Sequence, residues 1–322
     1  MLFVPGGDDN FYALNALTGA LIWKTSLGVE PAYFLWSSPT LYNGSVYEGV
    51  ASVGDCPLVQ GEMVQMDAST GTVQHVFDTV PTGCTGGGVW GSPTIDTSDG
   101  SIYFTTGNPG CSPPGLAPAI VKLRASDLSL MADWTVPTSA QAQGDSDFGS
   151  TPTLFTATIN GQLRQLVGAV NKNGIFYAWD RTDLAAGPVW QSNVAKAGGP
   201  ATGSIISAAW DGSKLYVGGG TTSVNGTSCT GSIDALNPVT GAFVWRTCQT
   251  NTTNPGAYAG ITVVPGVLVE GTRSGAVLFL DTATGKTLFT YQASTAVKGE
   301  ATVSNGIVYL PVGNGTIIAL GQ

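Results

Sequence analysis

The chain has 322 residues, of which only 10% are charged, and its formal net charge at pH 7 is -9. The sequence contains no basic run and no basic amphipathic helix, which argues against nucleic acid and anionic lipid as partners. No apolar stretch approaches the ~20 residues that a membrane-spanning helix needs. The 45 glycines, with many Ser, Thr and Asn residues, favour short strands and turns over long helices.

The chain begins with a strand-like segment, LFVPGG (2–7), and no charged and apolar leader stands before it. We therefore expect a processed, truncated or fragmentary chain from which an export signal is missing. A unit of strand, Asn/Asp-led turn with a glycine, strand and closing aromatic then recurs. The copies are YALNALTGALIW (12–23), VQMDASTGTVQHVF (64–77), VKLRASDLSLMADW (121–134), YAWDRTDLAAGPVW (177–190), IDALNPVTGAFVW (233–245), LFLDTATGKTLF (278–289) and the incomplete TIIALGQ (316–322).

A second strand pair precedes most of these units, as in WSSPTLYNGSVYEGV (36–50) and GEATVSNGIVYLPVGN (299–314). Each full repeat thus supplies four short strands, which predicts an all-β β-propeller. The closing Trp or Phe would form an apolar wedge between stacked blades. We count seven four-stranded blades in one domain over residues 1–322. The first blade lacks its opening strand and the last its closing strand, and eight blades or an incomplete ring are the alternatives.

The five cysteines form no Cys-x-x-Cys pair, which argues against zinc ribbons, thioredoxin chemistry and an attached c-type haem. Disulfides are the default prediction, and they favour an extracytoplasmic protein, periplasmic or secreted. Cys229 and Cys248 flank a predicted hairpin that could place them opposite each other. Sequence alone leaves open whether these two pair.

The YALNALTGALIW pattern resembles the tryptophan-docking repeat of pyrroloquinoline quinone (PQQ)-dependent dehydrogenases, including alcohol and polyvinyl alcohol dehydrogenases. The resemblance extends over nearly the whole chain. It implies an enzyme that oxidises a small or polymeric alcohol through PQQ and Ca²⁺. Because the sequence contains no haem motif, we expect electrons to leave to a separate acceptor. Non-catalytic propellers of the outer-membrane assembly type carry the same repeat, so a protein- or carbohydrate-binding scaffold is the alternative.

The segment VWGSPTIDTSDGSIYFTTGN (89–108) is similar to the family segment whose Trp lies under the quinone and whose final Asn binds calcium. The resemblance assigns these roles to Trp90 and Asn108. Structural alternatives exist for both, since Trp36 occupies the equivalent place one blade earlier and Asn108 lies in a Gly/Pro turn.

The stretch GDSDFGSTP (144–152) resembles the family segment that holds the catalytic base. It implies Asp147 as base and metal ligand, with Asp145 as the second candidate. AVNKNGIFYAWDR (169–181) resembles the turn from which a cation reaches the quinone oxygens, which points to Lys172. A turn-capping Asp147 and a solvated Lys172 are the structural alternatives.

These residue types suit the chemistry. A flat ring holds a planar cofactor, hard oxygens bind Ca²⁺, a carboxylate takes the substrate proton, and a cation stabilises negative charge on the reduced quinone. Cys56 stands where the alcohol dehydrogenase branch has a Glu calcium ligand, and Asp55 or Glu62 could replace it only with a shifted backbone. The branch's adjacent Cys-Cys pair would lie upstream of Met1 and is absent from these residues. Glu48 and Glu270 lie on predicted inner strands, where they could line a channel.

Overall fold

The computed structural model describes residues 1–54, 56–142, 145–198, 204–250 and 259–321. Within these ranges all regular structure is β-strand apart from two short 3-10 helices, Thr138–Ala140 and Leu184–Ala186. No helix of the described residues has the length and apolarity to cross a bilayer. The chain divides into two compact units, of which the first comprises Met1–Gln141, Ser146–Pro152 and Asp183–Gly187, and the second Ala142–Asp145, Thr153–Thr182 and Pro188–Gln322.

The first unit contains three antiparallel blades. The first blade consists of β1 (Leu2–Pro5), β2 (Asn10–Leu14) and β3 (Leu21–Ser26). The second consists of β4 (Tyr33–Phe34), β5 (Thr40–Tyr42), β6 (Ser45–Ser52), β7 (Glu62–Asp67) and β8 (Val73–Asp78), with β4 and β5 both paired to β6. The third consists of β9 (Thr94–Asp96), β10 (Ser101–Thr105), β11 (Ala119–Arg124) and β12 (Leu130–Thr135).

The second unit contains four blades. The first two are β13 (Thr153–Ile159), β14 (Gln162–Val170), β15 (Ile175–Asp180) and β16 (Pro188–Asn193), then β17 (Ala209–Trp210), β18 (Leu215–Gly219), β21 (Gly231–Leu236) and β22 (Phe243–Gln249). A hairpin, β19 (Thr222–Val224) and β20 (Thr227–Cys229), lies between β18 and β21. The last two are β23 (Thr262–Val264), β24 (Val267–Gly271), β25 (Ala276–Asp281) and β26 (Thr287–Gln292), then β27 (Thr302–Ser304), β28 (Ile307–Pro311) and β29 (Ile317–Leu320).

This architecture confirms the predicted all-β propeller with seven mostly four-stranded blades, of which the first and last have three strands. In the third blade the second and third strands, β10 and β11, are buried along almost their whole length, whereas the outer strand β8 of the second blade is largely exposed. The hairpin β19–β20 was not predicted. The sequence does contain a hairpin signal, the dipeptide Asn225-Gly226. In the structure both residues adopt the positive φ angles of a tight hairpin turn.

A tryptophan that closes one blade packs on the turn glycine of the next. Trp190 in β16 lies against Gly241, where a Cβ atom would be 2.4 Å from the indole ring and φ is +71°. The indole N–H of Trp190 donates to the carbonyl of Pro238 at 2.9 Å. The same arrangement joins Trp23 to Gly71 and Trp245 to Gly285, with their N–H groups on the carbonyls of Ala68 and Thr282. The Thr-Gly turn therefore needs glycine both for its backbone and for the ring.

Two disulfides are formed. Cys229 and Cys248 are bonded, with their Cα atoms 5.4 Å apart, so the pairing that the sequence left open is made. Cys84 and Cys111 form the second bond, with Cα atoms 5.8 Å apart. Cys56 is an exposed free thiol.

Substitution of Gly241 by Ala tests the tryptophan contact. We expect Gly241→Ala to lower the free energy of unfolding by about 2–4 kcal/mol, since it adds steric overlap with Trp190 to the strain of a positive φ. Gly226→Ala is the matched control, because Gly226 has φ +81° but open space around a Cβ atom. Its cost should be about 1–2 kcal/mol. Guanidinium denaturation measures both, and equal losses would contradict a docking role for Gly241.

Candidate functional site

Trp90 lies four residues before the start of β9 and packs against Gly149. A Cβ atom at Gly149 would lie 2.0 Å from Cη2 of the indole, so the ring occupies space that only glycine leaves open. The segment that carries Gly149 is held to the end of β10, because the Thr105 hydroxyl donates to the carbonyl of Ser150 at 3.0 Å. The position of Trp90 thus depends on the segment that also carries Asp147.

Asn108 lies in the loop after β10 and is half-buried. Its side-chain Oδ1 accepts the backbone N–H of Ser146 at 3.0 Å, and its own carbonyl accepts the N–H of Gly87 at 2.8 Å. The amide therefore fixes the residue that precedes Asp147. An amide oxygen has two lone pairs, so this bond is compatible with a second role as a ligand.

Asp147 is 6% exposed and lies beside Gly107. A Cβ atom at Gly107 would be 3.3 Å from Asp147 Oδ1 and 3.4 Å from Trp90 Nε1. Because Gly107 has no side chain, the Asp147 carboxyl group and the Trp90 indole nitrogen both lie close to it. Of the predicted site residues, Trp90, Asn108 and Asp147 therefore come together in the first unit.

The second unit holds the other two predicted residues. Lys172, in the turn between β14 and β15, places Nζ 3.1 Å from Asp145 Oδ1 and 2.9 Å from Oδ2. Their side chains are 7% and 0% exposed. The structural alternative of a solvated lysine at a turn tip is wrong, because Lys172 is buried and ion-paired. Sequence reasoning named both residues but did not predict that they bind each other.

A planar cofactor and a hard cation can be tested against these residues. Gly149 leaves the space that the Trp90 indole itself occupies, and Gly107 leaves space between the indole nitrogen and the Asp147 carboxyl that a side chain would fill. Asn108 and Asp147 supply one amide and one carboxylate oxygen, the donor types that Ca²⁺ prefers. Because Ca²⁺ takes about six to eight oxygens, the others would come from the cofactor and water. The donor set fits PQQ with a cation.

The residues expected near the missing Glu ligand add little to this set. Cys56 is exposed, and Asp55 lies outside the described residues. The pKa of the Glu62 carboxyl is raised by burial and by the nearby Asp78, which favours its neutral form. Within the described ranges no cluster of three His, Cys, Asp or Glu side chains could hold a metal.

Glu48 in β6 is a buried carboxyl that sequence reasoning could not distinguish from its neighbours. Both Glu48 and Glu270 are 0% exposed, so neither side chain faces solvent. The Ser37 hydroxyl donates to Glu48 Oε1 at 2.6 Å. Among the described residues Oε2 has no hydrogen-bond partner. Burial raises the pKa of Glu48 well above its usual value, although the Ser37 hydrogen bond opposes the shift.

Removal of one partner tests the buried ion pair. We expect Lys172→Met to lower the free energy of unfolding by about 3–5 kcal/mol, because it leaves the Asp145 carboxylate buried without its cation. The double variant Lys172→Met/Asp145→Asn should recover much of this loss. Urea denaturation measures the cycle, with the exposed Lys24→Met as control. Strictly additive losses would contradict a direct interaction.

The pH dependence of stability tests Glu48. Its pKa is raised in the folded state, so its contribution is present below the ordinary value near 4.5 and is lost as pH rises through the folded-state pKa. Glu48→Gln removes this dependence, and we expect the variant to gain stability relative to the wild type as pH rises. Thermal unfolding between pH 4 and pH 8 checks this, with the exposed Glu30→Gln as control. A constant difference between Glu48→Gln and wild type across that range would contradict it.

Comparison with known sequences adds to this geometry. A family model, PQQ_2, described as Outer membrane protein assembly factor BamB, matches residues 1–182 and 229–322. Polyvinylalcohol dehydrogenase of Sphingopyxis sp. (strain 113P3) is 26% identical over 366 residues, which cover 96% of this chain and 55% of that protein. Polyvinylalcohol dehydrogenase of a Pseudomonas species is 25% identical, with 88% and 51% covered. The chain thus spans about half the length of these relatives.

Solved structures give the same fold. Quinohemoprotein alcohol dehydrogenase from Comamonas testosteroni superimposes with a TM-score of 0.74 at 19% identity, covering 96% of this chain and 61% of that one. BamB from Moraxella catarrhalis superimposes with a TM-score of 0.54 at 13% identity, covering 99% and 91%. Sequence identities as low as these indicate a shared fold and do not indicate a shared function. With the family model matching most of its length, this chain belongs to the PQQ_2 family of β-propeller repeat proteins.

Proposed function

We propose that this protein is a PQQ-dependent dehydrogenase that oxidises an alcohol with Asp147 as general base, and that residues 1–322 act as one propeller domain. The observation that carries the proposal is the grouping of Trp90, Asn108 and Asp147 around Gly107. The two polyvinylalcohol dehydrogenases among its relatives support an alcohol, simple or polymeric, as the substrate class.

Each residue of the group has a role that its environment suits. The Trp90 indole offers a flat apolar surface for a planar ring, and Asn108 and Asp147 offer oxygens to Ca²⁺. The quinone, when bound, supplies the two-electron acceptor for the hydride that leaves the alcohol carbon. The Asp147 carboxylate accepts the proton of the substrate hydroxyl.

Asp147 is a better base than the second candidate, Asp145. Both carboxylate oxygens of Asp145 lie within hydrogen-bond distance of the Lys172 ammonium. A proton added to Asp145 would weaken this buried ion pair, so Asp145 is a poor proton acceptor. The contact of Lys172 with the quinone oxygens stays a prediction from the family resemblance.

The cysteines indicate the cellular compartment of the proposed enzyme. The bonds Cys84–Cys111 and Cys229–Cys248 are of the kind that persists in oxidising compartments, so we place the protein outside the cytoplasm. The sequence contains no Cys-x-x-Cys-His motif for covalent haem. The electron acceptor would therefore lie outside residues 1–322.

A binding scaffold is the second candidate. It is favoured by the engagement of Asn108 Oδ1 with the Ser146 N–H and by Cys56 at the expected Glu position. The structural match to BamB, a protein of the same repeat family, is in line with it. A scaffold needs neither PQQ nor Ca²⁺, so cofactor binding separates the two proposals.

Titration with PQQ in the presence of Ca²⁺ tests the dehydrogenase proposal. We expect saturable quenching of tryptophan fluorescence at micromolar PQQ, and reduction of an artificial dye with simple alcohols or poly(vinyl alcohol). Asp147→Asn should retain PQQ binding but lose about 10²–10⁴-fold in dye reduction. Trp90→Phe should weaken PQQ binding, whereas Trp36→Phe, at the equivalent place one blade earlier, should not.

Two outcomes would contradict the proposal. Absence of PQQ binding at micromolar concentration, measured by calorimetry as well as fluorescence, would leave the scaffold. Full dye reduction by Asp147→Asn would exclude Asp147 as the base, and the same assay on Asp145→Asn would then examine the second candidate.

A further inference from the structure

A histidine replaces the docking tryptophan at the junction of the second and third blades, both of which belong to the first unit. In the first blade, Trp23 of β3 lies opposite Ala13, directly before a register shift in the pairing with β2. In the second blade, His75 of β8 lies opposite Gln65, directly before the same register shift in the pairing with β7. His75 therefore occupies the position of Trp23.

The turn that would receive the indole also differs at this junction. In the second blade the N–H of Gly71 donates to the Asp67 carbonyl, and in the third blade the N–H of Leu128 donates to the Arg124 carbonyl in the same way. Both residues have a positive φ, 74° and 54°. Leu128, however, carries a buried side chain that belongs to the hydrophobic core. Both halves of the tryptophan–glycine contact are thus changed together.

The carbonyl that would accept the indole N–H has another partner. The Ala68 carbonyl accepts an indole N–H from the first blade. Ala125 is its equivalent in the third blade, because the N–H groups of Ala68 and Ala125 donate to the carbonyls of the turn glycines Gly44 and Gly100. The Tyr47 hydroxyl donates to the Ala125 carbonyl at 2.6 Å. This junction is therefore held without an indole.

A cleft of about 720 Å³ lies at the same junction. This volume is within the range of about 300–1,000 Å³ that is typical of small-molecule sites. Side chains of both blades line the cleft, and they combine a tyrosine ring with amide, imidazole and charged groups. They include Tyr42, Gln65, Gln74, His75, Asp99 and Arg124.

Hydrogen bonds hold the amide side chains of this cleft in place. The Ser45 hydroxyl donates to Gln74 Oε1 at 2.8 Å and accepts Gln65 Nε2–H at 3.0 Å. Gln65 is 4% exposed, and its Oε1 has no hydrogen-bond partner among the described residues. A buried acceptor without a donor is unfavourable. A hydroxyl group that enters the cleft is the kind of partner that this acceptor lacks.

The charged groups of the cleft already have counterions in the protein. Asp99 Oδ2 lies 3.0 Å from Lys122 Nζ, and Arg124 is paired with Asp127 at 3.6 Å. The cleft therefore favours a neutral ligand over an ion. Because its amide and imidazole groups include both donors and acceptors, they suit a ligand whose groups also donate and accept, as hydroxyls do.

We propose that this cleft binds a neutral saccharide, which takes the place that an indole occupies at other junctions. Its hydroxyls bond with the Gln74 amide and the His75 imidazole. An apolar C–H face of the sugar ring packs on Tyr42, whose ring is amphipathic. The site uses none of the residues grouped around Gly107, so the inference does not depend on the proposed dehydrogenase reaction.

Isothermal titration calorimetry on the full chain without PQQ tests the proposal. The probes are maltotriose, cellotriose and an oligomer of vinyl alcohol of similar length. We expect saturable binding, in the millimolar range or tighter, for at least one trisaccharide. The vinyl alcohol oligomer should not bind, because it offers hydroxyls without a sugar ring.

Two variants locate the site with the trisaccharide that binds. Gln74→Ala removes an exposed amide and should weaken binding about three- to tenfold. His75→Trp places an indole in the cleft and should abolish saturable binding. The controls are Gln191→Ala and Val76→Trp, because both residues are exposed on outer strands and neither lines the cleft. All four variants should give circular dichroism spectra like that of the wild type.

Three results would overturn the proposal. The first is the absence of saturable binding of either trisaccharide. The second is wild-type affinity in both Gln74→Ala and His75→Trp, which would place the sugar elsewhere on the protein. The third is equal binding of the vinyl alcohol oligomer and the trisaccharides, which would show that hydroxyl groups suffice and that no sugar ring is recognised.

Discussion

The seating of a tryptophan on a glycine of the neighbouring blade is the contact on which this fold depends. A four-stranded sheet cannot bury both of its faces alone, and the indole of Trp190 covers the turn at Gly241 while its N–H satisfies the Pro238 carbonyl. The contact joins packing and hydrogen bonding in one side chain. It also explains how a chain with 10% charged residues holds its blades together, since these tryptophan contacts between neighbouring blades need few ion pairs.

Much of the fold could be predicted because its signals are local. Strand, Asn/Asp-led turn and closing aromatic are written within some twelve residues and repeated, so the blades and the two short terminal sheets followed from the sequence. Pairings that depend on distant backbone geometry did not. The Cys84–Cys111 bond and the Lys172–Asp145 ion pair join residues 27 positions apart, and no periodicity connects them.

The candidate site shows the same division. Resemblance to a known repeat named Trp90, Asn108 and Asp147, because their side chains carry recognisable chemistry. It did not name Gly149, whose missing side chain leaves the space that the indole occupies, or Gly107, whose missing side chain leaves space between the indole nitrogen and the Asp147 carboxyl. Nor could it separate Glu48 from an ordinary strand residue, since the raised pKa of that carboxyl comes from burial by residues distant in the chain.

The Cys84–Cys111 bond has a further consequence for local dynamics. It closes a covalent loop that contains both β9 and β10, with Trp90 near one end and Asn108 near the other. Such a cross-link limits the conformations that the segment gains on opening, which disfavours its partial unfolding by about 3–4 kcal/mol in the chain-entropy model. Local openings of the kind that expose other edge strands to hydrogen exchange would therefore be rarer in β9 and β10. Trp90 and Asn108 would keep their relative positions while the other strands of the blade open and close.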